Sequence, residues 1–598
     1  MDELALRELI GEVRIGRLSR RHFVQGLAAL GLTAPLAAQL LASSGLAQPK
    51  PAGPVPAKRG GGGPLRLLYW QAPTVLNPHL SVGVKDLAGS RIFYEPLAEF
   101  DPDGNLVAVL ASELPSAQNG GIAKDGTWVV WTLKKGVQWH DGKPFTADDV
   151  VFTWEYAADP ATAATTLSIY RDLERVEKLG EHALKVVFKQ PTPFWAEPFC
   201  GSGGLIVPKH AFAGNRGAKS REAPANLKPV GTGPYRCVDF RPGDTVRAEL
   251  NPGYHVANRP FFDTLEMKGG GDAVSAARAV LQTGEYDFAW NIQAEDDVLR
   301  RLEQGGKGRV LVTPTSAPEF IQLNFSDPGK EIDGERSSVK APHPFLTDPA
   351  VRAALGLLVD RATIQEQIYG RLGQPTANFL NLPRRFQSQN LRAEFSVDRA
   401  NQVLEGAGWK RGADGLRARD GKRLKMLFQT SINAPRQKTQ AIVKQAAARA
   451  GVELELKSVL ASVFFSSDAA NPDTASHFSA DLQMYSLFMG RPDPQRFMEA
   501  FTSWQIASKE NKWSLSNVTR WRNMDYDRLW RASEGELDPL KRAALMIRMN
   551  DLVVREGVVI PLLVRNEATA VSRKLQGVDI TPWGSNLWNL ASWTREAQ

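Results

Sequence analysis

Cysteine is nearly absent from this chain of 598 residues; only Cys200 and Cys237 occur, with no C-x-x-C and no Cys/His cluster. A structural zinc or iron–sulfur centre needs more ligands than that. In an oxidising compartment the two thiols could form a disulfide, and two buried free thiols are the equal alternative. Histidine is scarce at eight residues, and no two stand four apart on a helical face. No G-x-S-x-G, no H-E-x-x-H and no dinucleotide-binding glycine fingerprint is found, so no common hydrolase or dehydrogenase signature is in hand. No block of lysine and arginine interleaved with aromatics occurs either, which excludes nucleic acid as the partner. Beyond residue 47 no hydrophobic run approaches membrane length, and no 20–50-residue repeat is visible.

What remains is an ordinary globular composition. Apolar residues make up 43% and charged residues 23%, with a net charge of +8. A chain this long divides into several lobes. Its front end reads as an address. Ser19-Arg20-Arg21-His22-Phe23 matches the twin-arginine pattern, and Gly26 to Ala47 carries no charge. Gly45-Leu46-Ala47 gives the small-x-small pattern of signal peptidase, so cleavage after Ala47 is expected; retention as an anchor is the alternative. Without a cysteine there, lipoprotein anchoring is excluded. Residues 48–63 are dominated by proline and glycine and read as a flexible linker.

The most informative stretch is Asp125 to Tyr156. Trp128 to Leu133 suits a strand, Lys134-Lys135-Gly136 and Asp141-Gly142 are turns, and Thr146 stands three residues before Asp149. That spacing predicts a helix with Thr146 as its cap and Val150, Val151 and Trp154 on its apolar face. His140-Asp141 could be taken as a metal or acid/base pair, but adjacent turn residues lack ligand spacing. This run resembles the signature of the extracellular solute-binding proteins of peptide/nickel-type ABC importers, family five. Residues 131–153 follow it almost position for position, with Trp139 where phenylalanine is usual. Leu76-Asn77-Pro78-His79, Arg91 to Phe100, Ile206 to His210, Pro229 to Tyr235 and Leu250 to Tyr254 continue the resemblance. So do Val280 to Ala289, Asp348 to Arg361, Ala407-Gly408-Trp409 and Asp414 to Arg417. Asp348-Pro349, Ser396 and Asp538-Pro539 each predict a helix start. Ile442 to Ala450 is expected to be helical. Arg352 and Asp360 are expected on a solvated face, as surface ion pairs usually are.

The resemblance implies an α/β fold of the type II periplasmic-binding-protein kind, with two lobes of mixed sheet joined by a hinge. Lobe I is expected from 64–95, 205–312 and 556–598, with an inserted subdomain at 96–204; lobe II is 313–555. Relatives that bind peptides hold them on one segment of the second lobe, with a tryptophan seven residues and an aspartate four residues before a proline. The matching segment here is Met484 to Pro494, where Leu487 and Gly490 take those places and Arg491 follows. Val82, before Gly83 and Val84, stands where some peptide binders have a glutamate. Both anionic anchors for an α-ammonium are thus missing. The candidate ligand residues are Val82, Gly83, Val84, Asn324, Phe488, Gly490 and Arg491, and Arg491 is expected to face a carboxylate or other anion. Tryptophans 139, 290, 504, 513, 521, 583 and 588 could stack on a ligand or pack in the core.

The function implied is that of a periplasmic receptor, exported by the twin-arginine route. It would be a monomer that captures a small-molecule or short-peptide ligand, peptide-like or anionic, by hinge closure. It would deliver that ligand to an ABC permease in the inner membrane. No catalytic residue, metal or cofactor is expected. An exported hydrolase or redox enzyme is the alternative, and a metal-chelate receptor a third reading.

Overall fold

In the computed structural model of the chain, which describes residues 58–81, 83–116, 118–465, 471–511, 513 and 515–596, the central motif forms as its residue types require. Trp128–Thr132 pairs antiparallel with Ala183–Phe188, which pairs in turn with Leu173–Gly180. Val129 and Trp131 are fully buried while Thr132 is exposed, the two-residue alternation of a half-covered strand. The helix Ala147–Ala158 begins at Thr146, whose hydroxyl accepts from the Asp148 amide at 3.3 Å. Asp149 returns to accept from the Thr146 amide at 3.0 Å. Its carboxylate also accepts from Trp139 Nε1 at 3.2 Å and from the Lys209 amide at 3.0 Å. The first-turn acid thus fastens the helix to the preceding turn and to a segment sixty residues away.

An eleven-stranded sheet runs through the molecule. At one end Glu453–Val459, Lys425–Ser431 and Leu482–Ser486 run parallel to one another. At the other, Pro64–Leu68 lies parallel between Phe288–Ala289 and Thr264–Lys268, followed by an antiparallel edge of Thr245–Leu250 and Tyr235–Arg241. Helices such as Ala273–Leu281 supply the crossovers that parallel neighbours need. Two long antiparallel strands, Gly308–Leu323 and Val559–Ser572, join the ends. Their pairing runs from Gly308 opposite Ser572 to Pro314 opposite Asn566, breaks, and resumes from Pro318 opposite Val564. The break has a physical cause, because prolines at 314 and 318 give the ladder no amide donor. Separate buried clusters sit on either side: one around Phe320, Phe428 and Tyr526, one around Tyr69, Phe93 and Trp593. A third fills the region of Trp131, Trp139 and Phe199.

The resembling motifs turn out to be joints. His140 accepts from the Gly231 amide through Nδ1 at 3.1 Å and donates through Nε2 to the Gly233 carbonyl at 3.1 Å. Gly231 lies so close to Phe93 that a Cβ there would sit 1.8 Å from the Phe93 carbonyl oxygen. Asn77 donates to Tyr156 and Asn226, and His79 bonds Thr166 and the Leu205 carbonyl. Glu95, 1% exposed, takes bonds from Thr232, Tyr254 and His255. Helix starts at Asp348, Ser396 and Asp538 are as expected.

The structure decides one open alternative, extends one helix and corrects one expectation. Cys200 and Cys237 are free thiols: Cys200 is packed beside Phe199 in the inserted region, and Cys237 stands on the edge strand Tyr235–Arg241. The helix expected over 442–450 runs from Ala434 to Arg449 and starts at Asn433, whose side chain caps it ahead of Pro435. Arg352 is buried at 7%, not solvated; it forms its ion pair with the Glu556 carboxylate at 3.2 Å and also donates to the Leu346, Thr347 and Glu556 carbonyls. Asp360 caps the short helix Arg361–Ile364. The address segment 1–47 and the linker up to residue 57 lie outside the described residues.

Candidate functional site

The strand Leu482–Ser486 ends beside the break in the long strands, and the chain leaves it as the segment Leu487 to Pro494. Ser316, in the break itself, holds this segment. Its hydroxyl donates to the Met489 carbonyl at 2.7 Å and accepts from the Met489 amide at 3.0 Å. Thr315, one residue earlier, donates to the Arg565 carbonyl of the second long strand. Glu319, 1% exposed, accepts from Arg436 at 2.5 Å, and Arg565 lies 3.8 Å from its other oxygen. Those ion pairs compensate a carboxylate that would otherwise be buried alone at the bend.

Over this segment lies a cavity of about 670 Å³. Its volume falls in the range of small-molecule sites. One wall is aromatic. Phe464 and Phe465 lie 5.0 Å apart, and Tyr485 is 6.1 Å from Phe465. Phe497 stacks on Phe379 behind the wall at 4.8 Å. Trp513 lies 3.9 Å from the His477 ring and also faces the cavity. Phe465 and Phe488 are each 52% exposed, an uncommon state for large apolar rings in a concavity.

The charged lining comes from opposite sides and is already paired. Arg491 reaches Glu197 of the inserted region at 2.9 Å, and Arg496 reaches Asp172 at 3.0 Å and the Ser168 carbonyl at 2.8 Å. Asp493 takes two bonds from Arg542, at 2.8 and 3.1 Å. Burial pushes its carboxyl above the usual range, against the pull of Arg542. Each acid of the lining thus rests on an arginine. Among the described residues no group of three or more His, Cys, Asp or Glu is placed to hold a metal ion.

Of the candidate residues, Phe488, Gly490 and Arg491 line this cavity, as does Leu487. Arg491 does not present a free charge to an anion, because Glu197 occupies it. Asn324 is fully buried and its amide is consumed by Ser337, Phe478 and Ala480, while its oxygen accepts from Ser326. Its side chain is engaged within the fold and does not line the cavity. Gly83 caps the helix Val84–Arg91, with Asp86 bonding back to its amide at 3.3 Å; neither Gly83 nor Val84 lines the cavity. Val82 lies outside the described residues. Of the seven tryptophans, only Trp513 lines the cavity. Trp139, Trp290, Trp521 and Trp583 are core, Trp504 packs on Trp530, and Trp588 bonds the Asp579 carbonyl. Sequence reasoning missed Phe464, Phe465, Tyr485 and Glu197. The paired phenylalanines after the strand Glu453–Val459 were the one available signal; nothing local marks Glu197.

The profile of the bacterial extracellular solute-binding proteins, family 5 (middle), matches residues 106–509. Protein XP55 of Streptomyces lividans is 29% identical over 428 residues, spanning 69% of this chain and 71% of its own. The oligopeptide-binding protein AppA of Bacillus subtilis is 27% identical over 398 residues, spanning 65% and 67%. Among solved structures, the ABC transporter substrate-binding protein CtaP of Listeria monocytogenes superposes with a TM-score of 0.73 at 20% identity, over 89% of this chain and 99% of its own. That likeness gives the fold: α/β, of the type II periplasmic-binding-protein kind.

Proposed function

The chain belongs to the bacterial extracellular solute-binding proteins of family 5, the ligand-capturing components of ABC importers, and we propose that its solute enters the cavity over Leu487–Pro494 and is held there by closure of two lobes. The observation that carries this reading is the bridge from Ser316 to Met489. It couples the long-strand connection between the sheet's two ends to the segment that lines the cavity. A change of angle at the break must therefore move the cavity wall, as hinge closure requires.

In this reading lobe I is built from 64–95 and 205–312 with the C-terminal segment, the inserted subdomain is 96–204, and lobe II follows from 313. The C-terminal segment was expected from residue 556; the pairing of Val559–Val564 with Pro318–Gln322 favours drawing the second crossing near Arg565. The protein works as a monomer in the periplasm, reached by the twin-arginine route with cleavage after Ala47, and passes its solute to an inner-membrane permease. No bond is made or broken. An acid/base mechanism would need a carboxylate poised for proton transfer. Here both lining acids, Glu197 and Asp493, are held by arginines.

The test is mass spectrometry of the solute that accompanies the purified protein, with small-angle scattering before and after its removal. The expected result is a bound organic solute and a more compact particle when it is present. Turnover of that solute by the pure protein, or a particle of unchanged dimensions, would sink the reading. N-terminal sequencing of the exported protein tests the cleavage at Ala47.

A further inference from the structure

On the footing that this cavity is the receptor site, we infer that it selects an uncharged solute bearing an aromatic ring, such as an amine-blocked aromatic peptide. Two independent features point there. First, the rings of Phe465 and Phe488 stand half uncovered in the cavity wall, 52% exposed each, beside the buried Tyr485. A flat apolar group is what covers such faces best, by offset or edge-to-face contact. Second, the four charges that the described residues of the lining carry are neutralised from within the chain. Glu197 is held by Arg491, Arg496 by Asp172, and Asp493 by Arg542. An ammonium or carboxylate on the solute would have to lose its water and displace one of these pairs, with no unpaired partner among the described lining residues to receive it. Gly490 adds no side chain and Leu487 only an apolar one, so the segment under the solute carries no further charge.

The experiment uses the full mature chain, freed of accompanying solute. Acetyl-Phe-Phe-amide, acetyl-Ala-Ala-amide, Phe-Phe with free termini and tri-alanine are titrated by calorimetry. Acetyl-Phe-Phe-amide is expected to bind at least about tenfold more tightly than acetyl-Ala-Ala-amide, the scale of one well-covered ring pair. Freeing the termini should weaken binding rather than strengthen it. Phe488→Ala should lose about tenfold for the aromatic probe alone; because Phe488 is exposed, its thermal midpoint should stay at the wild-type value. Phe465→Ala is the second variant. Tight binding of tri-alanine, or a requirement for the free amine, overturns the selectivity and leaves the receptor reading standing. If no probe binds, the accompanying solute decides: a charged, ring-free solute overturns the inference alone, and no solute at all overturns both readings.

Discussion

The Ser316 hydroxyl stands between the amide and the carbonyl of Met489 and bonds both, at 3.0 and 2.7 Å. Both residues are buried, at 3% and 5% exposure. Ser316→Ala leaves two main-chain groups of Met489 in the interior without a partner. An unmet buried group costs about 1–3 kcal/mol, so the variant should lose about 2 kcal/mol of stability. Its larger effect should be on solute affinity, because the freed segment lines the cavity. Denaturant unfolding and calorimetric titration on the same preparation check this. A stability loss with affinity intact would show that the bridge holds the fold and not the site.

The bond from Arg491 to Glu197 spans 294 residues of sequence. Arg491 is about one third exposed and Glu197 mostly buried, so the pair's coupling should be near 0.5–1 kcal/mol and should fade with added salt. A double-mutant cycle of Arg491→Ala and Glu197→Ala measures it directly. Arg491→Ala should not abolish binding of anionic solutes in particular. If it does, the arginine serves the ligand and its bond to Glu197 is secondary.

Two histidines set an acid limit, His79 fully buried and His140 partly so. Burial lowers both His79 and His140 to about 4, from an ordinary 6.5. His140 also uses Nδ1 as an acceptor for Gly231, which a proton there would destroy. Between pH 6.5 and 4 the unfolded chain holds protons that the folded chain refuses. Stability therefore falls as pH falls through that window, by about 1.4 kcal/mol per pH unit for each histidine. Below about pH 4 the two contributions level off. His79→Gln should start less stable at pH 7 and show a shallower decline. Equal slopes for variant and wild type would clear His79 of the effect.

Local chemistry was legible in the sequence and long-range pairing was not. Thr146, Asp348, Ser396 and Asp538 could be read as caps because a cap depends on residues three or four positions away. The segment 484–494 could be located because Pro494 anchors its spacing. Where the side chains of Asn324 and Arg491 go was not legible for one shared reason: their partners, Phe478 and Glu197, lie more than 150 residues away in sequence. Nothing near a polar residue announces that a distant carbonyl or carboxylate will consume it. The ion pair expected of Arg352 forms with Glu556, but its burial could not be read, because the carbonyls that take the rest of its guanidinium are main-chain groups with no residue identity.

The thiols offer a simple check of the corrected pairing. Cys200 is 4% exposed, and burial raises its thiol far above the ordinary range. Cys237 is less buried and is pushed up to about 11. Alkylation of the native protein at neutral pH should label Cys237 slowly and spare Cys200, since only the thiolate reacts. Both should label after unfolding without a reductant. Reductant should leave the melting temperature unchanged; a reductant-dependent fall would mean that the two are bridged after all.

Gly231 and Gly136 separate two reasons for a glycine. Gly136 has a φ of 74° and nothing within 4 Å of where a Cβ would stand. Alanine there meets only the left-handed backbone, which costs about 1–2 kcal/mol. Gly231 fails by collision. Its added Cβ would lie 1.8 Å from the Phe93 oxygen and 2.4 Å from the carbonyl carbon. The obstacle is main chain, held in place by the Gly233 amide at 2.8 Å, and no side chain can swing aside. Relief would need the Gly231 segment to move off Phe93, which breaks the bond from the Gly231 amide to the His140 ring and the bond from the His140 amide to the Gly231 carbonyl. Gly231→Ala should therefore lose about 3 kcal/mol or more, while Gly136→Ala still folds and binds. The two variants, melted side by side, test whether the joint between His140 and Gly231 carries the inserted region's attachment. Equal and small losses would show that it does not.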